Sequence, residues 1–167
     1  MNRALPQLFP GDHLLYNTRG DLADWIVRVK TWSKVAHIEV YAGDGMSMAA
    51  RRNGVNLYPF RPEGLRFVLR PRFAWYEVRA KDWFKTSAQG QKYDWLGLLC
   101  FTLAVAQGSP GRMFCSEFAR NLCRAACCPA FADDWPGDLT SPGMFLSSPA
   151  FTKVYDSTPS RLQPVHP

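Results

Sequence analysis

The residues best suited to covalent chemistry are a cysteine at a helix start and a histidine on a strand. Cys115 follows the corner Ser109-Pro110-Gly111, and Phe114, Phe118, Ala119, Leu122, Ala125 and Ala126 then recur at helical spacing. This places Cys115 at or near the first residue of a helix whose other face is buried. The outward-pointing N–H groups and the dipole of a helix start favour negative charge, so a thiol there ionises more readily than a free one. The thiolate is the nucleophilic form, and it needs a base within hydrogen-bond reach. Of the three histidines, His37 is the best placed, because residues 36–42 alternate His37, Glu39 and Tyr41 against Ile38, Val40 and Ala42. That is strand periodicity, with the imidazole on the polar face, where it can point at a helix start packed across the sheet. His13 lies in an apolar strand, which suits a core or surface role, and His166 lies near the chain end.

The elements that must bring these residues together fit one domain. A chain of 167 residues with 47% hydrophobic and 20% charged residues is globular rather than disordered. Lysine and arginine outnumber acids 20 to 14, a net charge of +6 that favours anionic surroundings, but the basic residues are scattered and read as a solvated face. The N-terminal residues carry no long apolar region and no small-residue cleavage site, so no secretory signal is expected. Residues 95–106 are apolar but too short to span a bilayer, and a transmembrane segment is not expected. The expected localisation is cytoplasmic or virion-associated. Five cysteines, an odd number, argue against a disulfide framework.

Along the chain, residues 13–17 form a first strand and 21–32 a helix capped by Asp21. The strands at 36–42 and 46–50 are joined by the Asp44-Gly45 hairpin turn. Further strands are expected at 54–60, 67–70 and 75–79, with short links that require antiparallel pairing. A short helix is expected at 81–87 and an apolar one at 93–106, followed by the Cys115 helix. Residues 129–167 form a Pro/Ser-rich extension packing on the domain, with a helix start at Thr140-Ser141-Pro142 and a last strand at 151–155. The fold class is α+β, an antiparallel sheet packed against helices.

Several pieces taken in order resemble a known family: Gly11-Asp12, then residues 32–45 with His37 and the Tyr41 to Gly45 turn, Gly54-Val55, Tyr93-Asp94, and Phe114-Cys115-Ser116-Glu117. The chain is similar, from about residue 10 to 155, to the circularly permuted branch of the NlpC-type papain-like cysteine hydrolases. This is the YiiX-like group, related to the lecithin retinol acyltransferase family. The resemblance implies a permuted papain-like fold in which the histidine strand precedes the cysteine helix. It implies Cys115 as nucleophile and His37 as general base, with no cofactor. Tyr93 matches a tyrosine beside the cysteine that could assist the oxyanion site; otherwise it is a packing residue. Trp32 and Ser116, inside the matching segments, are candidates for substrate binding. The family's third polar residue, which orients the imidazole, falls at Ala49, which cannot do so. Glu39, two residues from His37 on the same strand face, is a candidate substitute, and Ser47 a weaker one. A simple dyad and a lost activity are the other readings.

Three functions follow. The first is a thiol hydrolase of amide bonds, acting on peptidoglycan stem peptides, as small enzymes among phage tail and baseplate genes do. The second is a lipid acyltransferase or thioesterase using the same pair beside an apolar groove lined by Met46, Met48, Met113 and Phe114. The third is an inactive structural or binding module of a virion tail. Glu117 reads as a first-turn acid favoured by the helix dipole. Cys100, Cys123 and Cys127 read as small buried residues. Cys123, Cys127 and Cys128 lack a CxxC pair and a nearby histidine, so no metal site is expected. There is no phosphate-binding Gly-rich loop, and nucleic acid is not an expected partner.

Overall fold

The computed structural model describes residues 4–17, 35–94, 111–132 and 140–158. Period-two alternation becomes strand at β1 (His13–Tyr16), β2 (His37–Gly43), β3 (Met46–Arg51), β4 (Gly54–Pro59) and β5 (Leu65–Pro71), and again at the last strand, β8 (Phe151–Asp156). They form one six-stranded sheet in the order β4-β3-β2-β1-β5-β8, and each neighbouring pair is antiparallel. Asp44 and Gly45, both at positive φ (52° and 70°), make the β2–β3 turn, the conformation that a two-residue hairpin requires.

Both faces of the sheet are covered. Leu15, Ile38, Val40, Met48 and Ala50 pack in one buried cluster with Phe118, Leu122 and Cys123 of the helix α2 (Cys115–Ala125). The fully buried Phe118 and Leu122 each contribute about 1.5–3 kcal/mol of apolar burial. On the other face Leu14, Tyr16, Leu65 and Val68 cluster with Tyr41, Phe60 and Val154.

Two expected elements are corrected. Residues 75–79, read as a strand from their aromatic and Val content, lead instead into the helix α1 (Glu77–Trp83), which continues as a wider π turn to Ala88. Tertiary packing overrides β propensity here. Ala80, Phe84 and Ala88 recur every four residues and are buried, while Val78 is left 82% exposed and a Glu77–Lys81 pair spans one turn outside. Tyr93, read as a helix start, belongs instead to the two-residue strand β6 (Lys92–Tyr93). It pairs in parallel with β7 (Arg112–Met113), the one departure from antiparallel pairing among the described strands. The expected helix at 21–32, with Trp32, and the apolar residues 95–106 lie outside the described residues.

Of the C-terminal extension, residues 142–147 form a 3-10 helix, as the Thr140-Ser141-Pro142 start suggests, and β8 then joins the sheet beside β5. Ser116 Oγ donates to the Thr140 carbonyl at 2.6 Å and Ser148 Oγ to the Ala130 carbonyl at 2.6 Å, so this segment is tied to α2 and to the chain that follows it.

Candidate active site

Cys115 is the first residue of α2. Phe114 precedes it in an extended conformation (φ −98°, ψ 170°), and the first intrahelical bond runs from Phe118 N–H to the Phe114 carbonyl at 2.9 Å. The turn is placed from both sides. Upstream, β7 is held against β6, with Asp94 N–H donating to the Met113 carbonyl at 3.2 Å. Downstream, the apolar stripe of α2 is anchored on β2 and β3. First-turn N–H groups leave the helix end unpaired within the helix itself, which makes this end a site for developing negative charge.

His37 is the first residue of β2, on the face opposite the apolar stripe that α2 covers, and its ring lies 6.1 Å from that of Tyr16. It nevertheless hydrogen-bonds the Cys115 side chain. The expectation of a pair meeting across a sheet face therefore needs adjustment: the two meet at the end of β2, where the strand's first residue stands at the sheet margin. His37 Nε2 lies 3.0 Å from Glu39 Oε1. An ionised carboxylate only accepts, so Nε2 carries the hydrogen and Nδ1 is left for the sulfur.

Glu39 is completely buried and is the centre of a charge-assisted network. Arg51 Nε donates to its Oε1 at 2.8 Å and Arg51 Nη2 to its Oε2 at 2.9 Å. Burial by itself would raise the carboxyl pKa, but His37 and Arg51 outweigh it and hold Glu39 down at about 2. Burial likewise disfavours a charged imidazole. The adjacent Cys115 sulfur and Glu39 outweigh that too, and raise His37 to about 10. The arrangement stabilises an imidazolium that faces the Cys115 sulfur on one side and the Glu39 carboxylate on the other. Access is narrow: Cys115 is 3% exposed and the His37 side chain 14%.

The structure brings Cys115, His37 and Glu39 together as one chain of hydrogen bonds. Ala49 is buried on β3 and offers no polar atom; Ser47 is buried on the same face. Tyr93 is half-buried against the core, with its backbone paired to Met113, two residues ahead of Cys115. Ser116 is buried and its hydroxyl is committed to Thr140, so what it contributes beside Cys115 is the hold on that segment. Trp32 lies outside the described residues.

Three features were not read from the sequence. Arg51 is one; counting back from the hairpin finds it, because the pairs Val40–Met48 and Tyr41–Ser47 extend to place Ala49 beside Glu39 and Arg51 beside His37. The second is a half-buried ion pair in which Arg70 Nε and Nη2 donate to the buried Asp12 Oδ1 and Oδ2 at 2.9 and 2.8 Å, joining β5 to the turn before β1. The third is another histidine–cysteine pair, so a histidine does stand near the Cys123 cluster. His13 Nδ1 donates to the Gly11 carbonyl at 2.8 Å, which leaves Nε2 bare to accept from Cys123 Sγ at 3.1 Å. Both residues are fully buried. Burial lowers His13 to about 4 and pushes the Cys123 thiol well up, so this pair is neutral and inert. The same two residue types meet in both places, with a charged imidazole where a buried carboxylate adjoins and a neutral one where none does.

Among the described residues no group of three or more His, Cys, Asp or Glu side chains is arranged to hold a metal ion. No described helix is long and apolar enough to cross a membrane. No protein-family model matches the chain, and no curated protein matches it in sequence. A solved structure does: metalloprotein yiiX from Escherichia coli O157:H7, a DUF1105 protein, superposes with a TM-score of 0.65 at 16% identity, over 90% of this chain and 98% of that one. The fold is therefore yiiX-like, a mixed α+β arrangement.

Proposed function

We propose that this chain is a cysteine hydrolase of the permuted papain-like type, cleaving amide bonds with Cys115 as nucleophile, His37 as general base and acid, and Glu39 as the residue that orients and charges the imidazole. The observation that carries this reading is the continuous contact from the Cys115 sulfur through His37 to a buried, ionised Glu39. In the first half-reaction the sulfur attacks the carbonyl carbon, and the oxyanion that forms is stabilised by N–H groups at the start of α2. His37 then passes its Nδ1 proton to the leaving amine as the C–N bond breaks, leaving a thioester. In the second, His37 takes a proton from water, the hydroxide adds to the thioester, and the thiolate leaves as the acid is released.

The substrate we favour is a peptidoglycan stem peptide, in keeping with a net charge of +6 facing an anionic cell wall, and a phage tail or baseplate is a setting suited to a small basic hydrolase. The lipid reading loses part of its basis, because Met48 and Phe114, named as groove walls, are each 2% exposed and belong to the core. The inactive-module reading rested on Ala49 standing where an orienting residue is expected, and Glu39 fills that role from the neighbouring strand.

The deciding experiment has two parts. Brief labelling with iodoacetamide at neutral pH, read by mass spectrometry, should modify Cys115 ahead of the other four cysteines and slow sharply in His37→Ala. Muropeptides and acyl esters are then supplied in parallel, each with a Cys115→Ala control. Uniform labelling of all five cysteines would overturn the hydrolase reading, and turnover of the acyl esters alone would replace the substrate.

A further inference from the structure

The guanidinium of Arg51 does more than neutralise a buried acid. It is held on three sides. Its Nε and Nη2 grip both oxygens of Glu39, and its Cζ lies 4.3 Å from the centre of the Tyr58 ring. That ring is itself fixed, because Tyr58 Oη donates to the Gly54 carbonyl at 2.9 Å, and Gly54 is the residue paired with Arg51 across β3 and β4. The loop therefore closes on itself: Arg51 backbone to Gly54, Gly54 to Tyr58, Tyr58 ring to Arg51 side chain. Gly54 admits no side chain here, since at φ +104° a Cβ would lie 2.6 Å from the Gln91 carbonyl oxygen. The absence of a side chain beyond Cβ at Ala49, between Ser47 and Arg51 on the same strand face, leaves space over Glu39 for the arginine to reach in.

We propose that Arg51, seated on Tyr58, is a positioning residue that holds the Glu39 carboxylate in the one orientation that faces Oε1 to the His37 imidazole, so that reactivity of Cys115 depends on a side chain that does not touch it. This rests on the hydrolase reading above and adds a fourth member to its relay. Oε1 serves two donors, His37 Nε2 and Arg51 Nε, and a bidentate fork fixes the carboxylate plane in a way that a single charge does not. The charged and titratable groups facing the network are Cys115 from α2, His37 and Glu39 from β2, Arg51 from β3 and Tyr58 from β4, with Tyr16 of β1 beside the imidazole ring. Without the fork, the buried carboxylate has one donor instead of three contacts. It turns or takes up a proton, and the imidazolium loses its counter-charge.

The test is the rate of iodoacetamide labelling at Cys115 as a function of pH in the intact chain, followed for wild type, Arg51→Met, Arg51→Lys, Glu39→Gln and the double variant Glu39→Gln/Arg51→Met. Arg52→Met, one residue along, is the control for charge alone. Arg51→Met is expected to slow labelling at pH 6 by about tenfold, equivalent to one pH unit in the acid limb. Arg51→Lys should recover only part, because lysine lacks the fork. The double variant should be no slower than Glu39→Gln, since both act through one carboxylate. Arg52→Met should overlay wild type.

A wild-type profile selective for Cys115 together with an unchanged profile in Arg51→Met overturns the proposal and leaves the hydrolase intact. A wild type in which His37→Ala makes no difference removes both. Should Arg51→Met fail to fold by circular dichroism, Tyr58→Leu keeps the ion pair and removes only its seat. A profile moved in the same direction supports the proposal, and an unmoved one overturns it.

Discussion

Glu39→Gln tests the electrostatic core of the site most directly, because the substitution keeps the shape of the side chain and removes its charge. Glu39 is held at about 2 against an ordinary value of 4.5, in spite of complete burial, by His37 and Arg51. A carboxyl whose folded pKa is depressed contributes stability that is fully present above its unfolded value and is lost as pH falls through its folded value. The window is therefore pH 4.5 down to about 2. A gap of that size corresponds to about 3 kcal/mol at neutral pH, with no discount for solvent since the group is buried. In a domain of this size that is roughly 6–12 °C in melting temperature. The glutamine amide has one accepting oxygen and cannot satisfy His37 and the arginine fork together, so the loss should be near the full amount. Thermal melts at pH 7 should show Glu39→Gln destabilised by that margin, and the difference should shrink steadily as both proteins are taken to pH 2.5. Labelling of Cys115 at pH 6 should fall in parallel. An identical melting temperature at pH 7, or a difference that stays constant down to pH 2.5, would refute the claim that Glu39 is an ionised, doubly paired carboxylate.

Four further outcomes are expected. His37, raised to about 10, contributes stability that is complete below pH 6.5 and is lost as pH rises to about 10; Cys115→Ala, which removes the sulfur facing the ring, should flatten the alkaline fall in melting temperature. His13→Ala should leave the labelling rate of Cys115 unchanged while lowering stability by about 2 kcal/mol or more, since it empties a fully buried aromatic site and strips Cys123 of its acceptor; chemical denaturation measures this. Because Cys115 is only 3% exposed, a bulky maleimide should label it at least tenfold more slowly relative to iodoacetamide than it labels the exposed Cys127. Gly54→Ala should destabilise the fold by more than 1 kcal/mol, through the positive φ and the 2.6 Å approach to Gln91, and should slow Cys115 labelling by loosening the Arg51 seat; melts and labelling on one preparation check both.

Much of the framework was legible in the residues alone because it is governed by local periodicity. The alternation around His37, the Asp44-Gly45 turn and the helical stripe after Cys115 each specify a conformation within a dozen residues, and all three are present as read. The helix-start position and the polar strand face supplied the candidate nucleophile and base, to which the resemblance gave the same roles, and the two-residue spacing of His37 and Glu39 supplied the candidate third member. Where local preference and packing disagree, the sequence misleads. Residues 75–79 have strand composition, yet the demand to bury Ala80, Phe84 and Ala88 on one side makes them lead into a helix.

What only the tertiary structure decided is the state of charge. Two histidines each meet a cysteine, and nothing in the order of residues says that one imidazole is charged and the other neutral. The difference lies in which third group stands behind each ring: a backbone carbonyl behind His13, and behind His37 a buried carboxylate gripped by an arginine from the next strand. Pairing registers and the depth of burial set those neighbours, and electrostatic energy in a poorly solvated interior depends on distances of a few ångströms between residues far apart in the chain.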